Sequence, residues 1–174
     1  MQDARIELLS APARWELKTL RALFTPEAKA LGYSVRKGEY AFLTVAEGEV
    51  RRSLVLLDMQ PRALVAFDLG AKGKLEVLGA KADEPLESLD LAGVRIANRA
   101  VLFRTEATMA RDAVSYVVEG GGKLKHLITG LAPGDWSIWW NGWLEDPGVF
   151  VEPSAGCLYF EGNAGSYFLR RVSR

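Results

Sequence analysis

His126 and Cys157 are the only histidine and the only cysteine among 174 residues. A Ser-His-Asp or Cys-His relay needs a base with an orienting partner, and a zinc centre needs several nitrogen or sulfur ligands. One chain with these counts assembles neither, unless another chain completes the set. A lone thiol also excludes a disulfide framework. Leu124, His126 and Ile128 alternate, which aims the imidazole at an apolar face as a core or sheet-rim residue. Cys157 opens a small apolar strand and reads as a buried free thiol. Carboxylates are the remaining reactive groups, and Asp135, Glu145, Asp146, Glu152 and Glu161 gather in one stretch. Two of them about 5–10 Å apart could act as acid and base on a glycosidic bond. Several together could hold calcium, although the spaced Asp/Asn/Gly pattern of a calcium loop is absent. Beside glycine and proline, the ordinary fate of such residues is a solvated turn. No motif joins a nucleophile to a base. No catalytic residue and no metal ligand is therefore assigned, and calcium is the one cofactor left open.

Recognition chemistry is better represented. Asp135-Trp136-Ser137-Ile138-Trp139-Trp140-Asn141-Gly142-Trp143 carries four of the five tryptophans. On a strand, Trp136, Ile138 and Trp140 point one way, while Ser137, Trp139, Asn141 and Trp143 point the other. The first row, with its apolar spacer, belongs in a core. The second mixes indoles with polar groups and suits a surface. Flat indoles pack against sugar C–H faces while nearby amides, hydroxyls and carboxylates bond the sugar hydroxyls. Trp139, Asn141, Trp143, Asp135 and Ser137 are therefore the candidate ligand-binding residues. Exposed tryptophans equally suit a protein interface, and burial of both rows between two layers is the third reading.

These side chains need strands to position them. Short apolar runs separated by Gly, Pro and charged turns predict strands near Tyr40–Ala46, Val50–Asp58, Ala63–Asp68, Lys74–Gly79, Val94–Ile96 and Arg99–Arg104. Further strands are predicted near Ala113–Glu119, Lys123–Thr129, Trp136–Asn141, Val149–Glu152, Cys157–Glu161 and Ser166–Val172. The gaps are short, and Gly120-Gly121-Gly122 in particular reads as a hairpin turn; a phosphate cradle would need a helix after the glycines. Gly162–Gly165 reads as another connection. Short gaps join antiparallel neighbours, so the expected fold is all-β, an antiparallel β-sandwich of about 10–13 strands with little helix. One domain over 1–174 is expected, with 1–35 irregular or forming a peripheral strand or short helix. Within it, Arg14–Leu23 fits helix or strand, and Pro26–Leu31 suits one helical turn opened by Thr25. Lys81–Leu91, rich in Asp, Glu, Lys and Ser, reads as a long loop.

Lys+Arg and Asp+Glu are 22 each, giving zero net charge. No overall field favours nucleic acid or an anionic membrane, and no apolar run is long enough to span one. Arg51-Arg52 and Arg170, Arg171 and Arg174 read as solvated, with an acidic-sugar or phosphate contact as the alternative. Charges through the first thirty residues leave no signal-peptide core.

Gly93-Val94-Arg95-Ile96, followed by Val101-Leu102-Phe103, is similar to the C-terminal β-rich region of heparinase II/III-like polysaccharide lyases. The similarity continues through Val114-Ser115-Tyr116, His126–Gly134 and Leu158-Tyr159-Phe160, with Ser53–Leu57 resembling an earlier strand. In such lyases proton abstraction lies mostly in a helical toroid and central domain, and no matching helical segment is present here. The resemblance implies a non-catalytic accessory domain of a secreted carbohydrate-processing protein, extracellular or periplasmic. Its partner would be a polysaccharide or a neighbouring catalytic domain. The alternative is an assembly protein, a homo-oligomer included, that buries its Trp-rich strand against another chain.

Overall fold

The computed structural model describes residues 5, 9, 20–69 and 73–172. Most of Arg14–Leu23 falls outside them, as does Arg174. The chain divides into two compact units, 1–81 and 82–174, where the sequence reading expects one domain.

The first unit is a five-stranded antiparallel meander in sequential order: β1 (Lys29–Arg36), β2 (Tyr40–Glu47), β3 (Val50–Leu57), β4 (Ala63–Asp68) and β5 (Lys74–Leu78). Alternating Ala41, Leu43 and Val45 on β2 meet Leu54, Leu56 and Leu64 in a core closed by Leu20 and Ala28. The helical turn expected at Pro26–Leu31 is instead a tight turn, with the Ala28 N–H on the Thr25 carbonyl, and β1 starts directly after it. Thr25 caps no helix. Its N–H and hydroxyl both donate to the Glu47 carboxylate.

The second unit is one seven-stranded sheet. Its strands are β6 (Glu84–Glu87), β7 (Leu91–Ile96), β8 (Arg99–Arg104), β9 (Ala113–Ile128), β10 (Gly134–Trp140), β11 (Trp143–Val151) and β12 (Leu158–Arg171). They run in the order β11-β10-β12-β9-β8-β7-β6. β6 forms inside the segment expected to be a loop, because Leu86 is buried and pairs opposite Gly93. The sheet curls: β6 lies near β9 without pairing to it, and Leu86, Leu102, Val114, Ile128, Trp136 and Leu169 share one core. The all-β sandwich class is the one the sequence implies.

Two connections differ from expectation. Gly120-Gly121-Gly122 is not a hairpin turn, because β9 runs through it as a single strand. Lys123 pairs with Asn163 and Val118 with Gly165, so both flanks face the same antiparallel neighbour and the chain never reverses. The extra residues form a wide bulge, and Ala164 on β12 is what they oppose. Arg95 holds it, donating to the carbonyls of Glu119 at 2.7 Å and Gly121 at 3.3 Å. Gly162–Gly165 likewise lies inside β12. The second difference is that β8 and β9 are parallel, pairing Arg99–Leu102 with Lys125–Ile128. A parallel pair needs a long crossover, and the first half of β9 supplies it.

Candidate functional site

Trp136, Ile138 and Trp140 face inward on β10. Trp136 is fully buried with its indole N–H on the Ala132 carbonyl at 2.9 Å, and Ile138 is buried beside it. Trp140 is half-buried against the same core, and its N–H donates to the Ala164 carbonyl at 3.1 Å. Gly165 makes room for that indole. A Cβ there would stand 2.4 Å from the Trp140 Nε1, and its φ of +151° already disfavours a side chain.

The five ligand-binding candidates do not meet in one place. Ser137 and Trp139 share the outer row: the Trp139 N–H donates to the Ser137 hydroxyl, which itself donates to the Arg170 carbonyl. Asn141 leaves the strand. Asn141 and Gly142 have φ of 48° and 87°, the left-handed pair that a two-residue hairpin loop requires. The Asn141 side-chain oxygen accepts the Ser166 N–H at 2.8 Å, so it is occupied by backbone. This turn also corrects the expected row of Trp143. Trp143 pairs with Trp140, and Leu144 takes the position beside Trp139. Trp143 is nonetheless the most open of the four, 74% exposed. Asp135 lines a different cleft, with Arg111, Arg170 and Arg171.

On the inward row, the structure gathers side chains that lie far apart in the sequence. A cleft of about 350 Å³ is lined by Ile138, Trp140, Phe160 and Tyr167, and by Glu145, Asp146, Glu161, Lys123 and Asn163. Strand alternation would send Glu145 and Asp146 to opposite faces. A bulge in β11 prevents this: Trp139 pairs with Leu144 and Ile138 with Asp146, leaving Glu145 as the extra residue. Both carboxylates can then line the same cleft. Asp146 also accepts the Gly148 N–H at 2.9 Å, and the Lys123 ammonium lies 3.4 Å from Glu161. Among the described residues no three His, Cys, Asp or Glu side chains converge closely enough to hold a metal ion.

An aromatic layer supports the cleft from below. Phe160 stacks on His126 with ring centres 4.5 Å apart and planes 4° apart, and Tyr167 stacks on Tyr116 at 5.3 Å. His126 is fully buried, as its alternation with Leu124 and Ile128 predicts. Its Nε2 lies 3.1 Å from the Gly162 carbonyl, which can only accept, so Nε2 carries the proton. Nδ1 then accepts from the Tyr116 hydroxyl at 2.8 Å. Burial lowers the imidazole pKa to about 4, opposed by the Gly162 bond. The ring is neutral and both nitrogens are engaged, so it is a structural residue. Burial pushes the Tyr167 phenol up to about 12, and the negative charge of Glu145 adds to this. Its hydroxyl donates to the Asn163 carbonyl. Burial also pushes the Cys157 thiol well up, which leaves it without the thiolate a nucleophile needs.

Phe160 and Tyr167 carry no sequence signal beyond strand aromatics that fill a core. The carboxylates are visible in the sequence, whereas the bulge that unites them is not.

The outer face is of another kind. Trp139 lies between Leu144 on β11 and Phe168 on β12; on β9 the row passes to Ser115, with Val117 diagonal to Phe168 and opposite Ser166. Leu144, Phe168 and Val117 are all exposed. No curated protein matches the chain. A family model described as the heparinase II C-terminal domain matches residues 85–171, half of the chain, from within β6 to the end of β12. The chain belongs to the heparinase II C-terminal domain family.

Proposed function

We propose that the chain is a non-catalytic accessory domain of a carbohydrate-processing protein, working outside the cytoplasm and binding glycan in the cleft of Trp140, Phe160 and Tyr167. The observation that carries this reading is the combination of aromatic and polar groups in one cleft of sugar-ring size. Pyranose rings offer C–H faces to aromatic rings and hydroxyls to carboxylate and amide acceptors, and Glu145, Asp146, Glu161 and Asn163 supply the latter. The indole of Trp140 is held by its bond to Ala164, so little ordering remains for the ligand to impose. The buried, doubly bonded His126 supports a binding role over a catalytic one. Titration of the full chain with a panel of neutral, acidic and amino-sugar oligosaccharides tests the reading through tryptophan fluorescence. A saturable change that is absent in Trp140→Phe is expected, and no response to any member of the panel rejects it.

A second reading rests on the outer face. Leu144, Trp139 and Phe168 make an apolar row across three strands, with Val117 diagonal to its end, of the sort that docks on a catalytic domain or a second copy. Light scattering on a sizing column addresses the self-association branch. A dimer that Phe168→Lys dissociates favours this reading, and a monomer at high concentration excludes the homo-oligomer.

A further inference from the structure

The charge around the cleft narrows its ligand. Glu145, Asp146 and Glu161 line it with a single ammonium, Lys123, which is already 3.4 Å from Glu161. Lys123 and Glu161 are both well exposed, so their pairing is weak and is screened by salt. That leaves two carboxylates without a cationic neighbour on the cleft wall, one of them placed there only by the β11 bulge. The field of Glu145 already reaches the Tyr167 ring at the cleft floor. Beside these charges stand the aromatic rings of Trp140 and Phe160, whose faces attract cations through the ring quadrupole.

We propose, building on the glycan reading above, that the cleft takes a sugar unit bearing a protonated amine, a non-acetylated amino sugar. Its C–H face lies on the aromatic wall and its ammonium is directed to Glu145 and Asp146. A uronate or sulfated unit meets two like charges there and is disfavoured. A neutral N-acetylated unit keeps the stacking and loses the charge-assisted bonds, which are the stronger polar contacts.

Calorimetric titration of the full chain at mildly acidic pH tests this, because the sugar amine is then protonated and carboxylates are ionised. The probes are glucosamine oligomers, the same oligomers N-acetylated, oligogalacturonate and oligolysine. Glucosamine oligomers are expected to bind at least about tenfold more tightly than their acetylated counterparts, equivalent to about 1.4 kcal/mol. Glu145→Gln removes an exposed charge and should leave the melting temperature in place while erasing most of that tenfold preference. Trp140→Phe should weaken both sugars together. Equal binding of the acetylated and free-amine oligomers, or a preference for oligogalacturonate, overturns the amine assignment and leaves the glycan reading standing. Oligolysine binding as tightly as the amino sugar also overturns it, since charge alone would then suffice. Failure of every glycan to bind rejects the glycan reading itself and this inference with it.

Discussion

Protonating His126 would place a second N–H against the Tyr116 hydroxyl in a fully buried site, and this gives the fold a specific pH response. The folded pKa is lowered to about 4, mainly by burial, whereas the unfolded ring titrates at its ordinary value of 6.5. Between these values the unfolded chain binds more protons than the folded one, so stability falls as pH falls through the window. It should be flat above about pH 7 and drop by about 3 kcal/mol by the bottom of the window. Urea midpoints at successive pH values check this. The upper half of the window is the diagnostic part, because carboxylates titrate lower. His126→Gln should be less stable at neutral pH and should lose the slope; an unchanged slope would mean the ring is not its source. The two tryptophan rows make a second contrast. Trp136→Ala empties a fully buried site with a satisfied N–H and should cost about 3–5 kcal/mol. Trp139→Ala removes a half-buried ring and should cost roughly 1–2 kcal/mol. Thermal melts of the two variants decide the order.

At the scale of elements, the glycine run in β9 offers a test in which neighbouring residues behave differently. Gly120 has φ +88°, and a Cβ there would stand 2.7 Å from the Arg95 guanidinium that ties down the bulge. Gly121 has open space around its Cβ position and no positive φ. Gly120→Ala should therefore cost about 1–2 kcal/mol, and Gly121→Ala should stay within about 0.5 kcal/mol. Equal urea midpoints for the two variants would contradict the bulge geometry. Strands such as β2 to β4 are legible in the sequence because β-branched runs sit between turn residues. The glycine run is not, since it relaxes the backbone equally for a hairpin and for a bulge. The choice is made by β12, which pairs with both flanks, and by Arg95 from β7. Gly142 can break the alternation of β10, yet four tryptophans around it favour an uninterrupted strand, which puts Trp143 in the wrong row. None of the five ligand-binding candidates lines the cleft, since the sequence puts Trp140 in the core row and the carboxylates in solvated turns. Trp140 and the carboxylates stand out by type, whereas the β11 bulge and the placement of Phe160 and Tyr167 are products of pairing.

For the molecule as a whole, the expectation is binding without turnover, and it rests on what each reactive group is already doing. The one imidazole is neutral, with Nε2–H donating to Gly162 and Nδ1 accepting from Tyr116, so it has no lone pair free to take a substrate proton. The one thiol is held in its protonated form by burial. Among the cleft carboxylates, Glu161 lies 3.4 Å from the Lys123 ammonium and Asp146 accepts the Gly148 N–H. Prolonged incubation with acidic and neutral polysaccharides should therefore produce neither new reducing ends nor unsaturated products absorbing in the ultraviolet. Contaminating activity is separated from real activity by variants. Turnover that disappears in Glu145→Gln or Asp146→Asn, with the melting temperature unchanged, would make the cleft an active site and overturn the accessory role. Turnover that persists in both belongs to something other than this cleft. Glycan binding that survives in a chain with no turnover is the expected result.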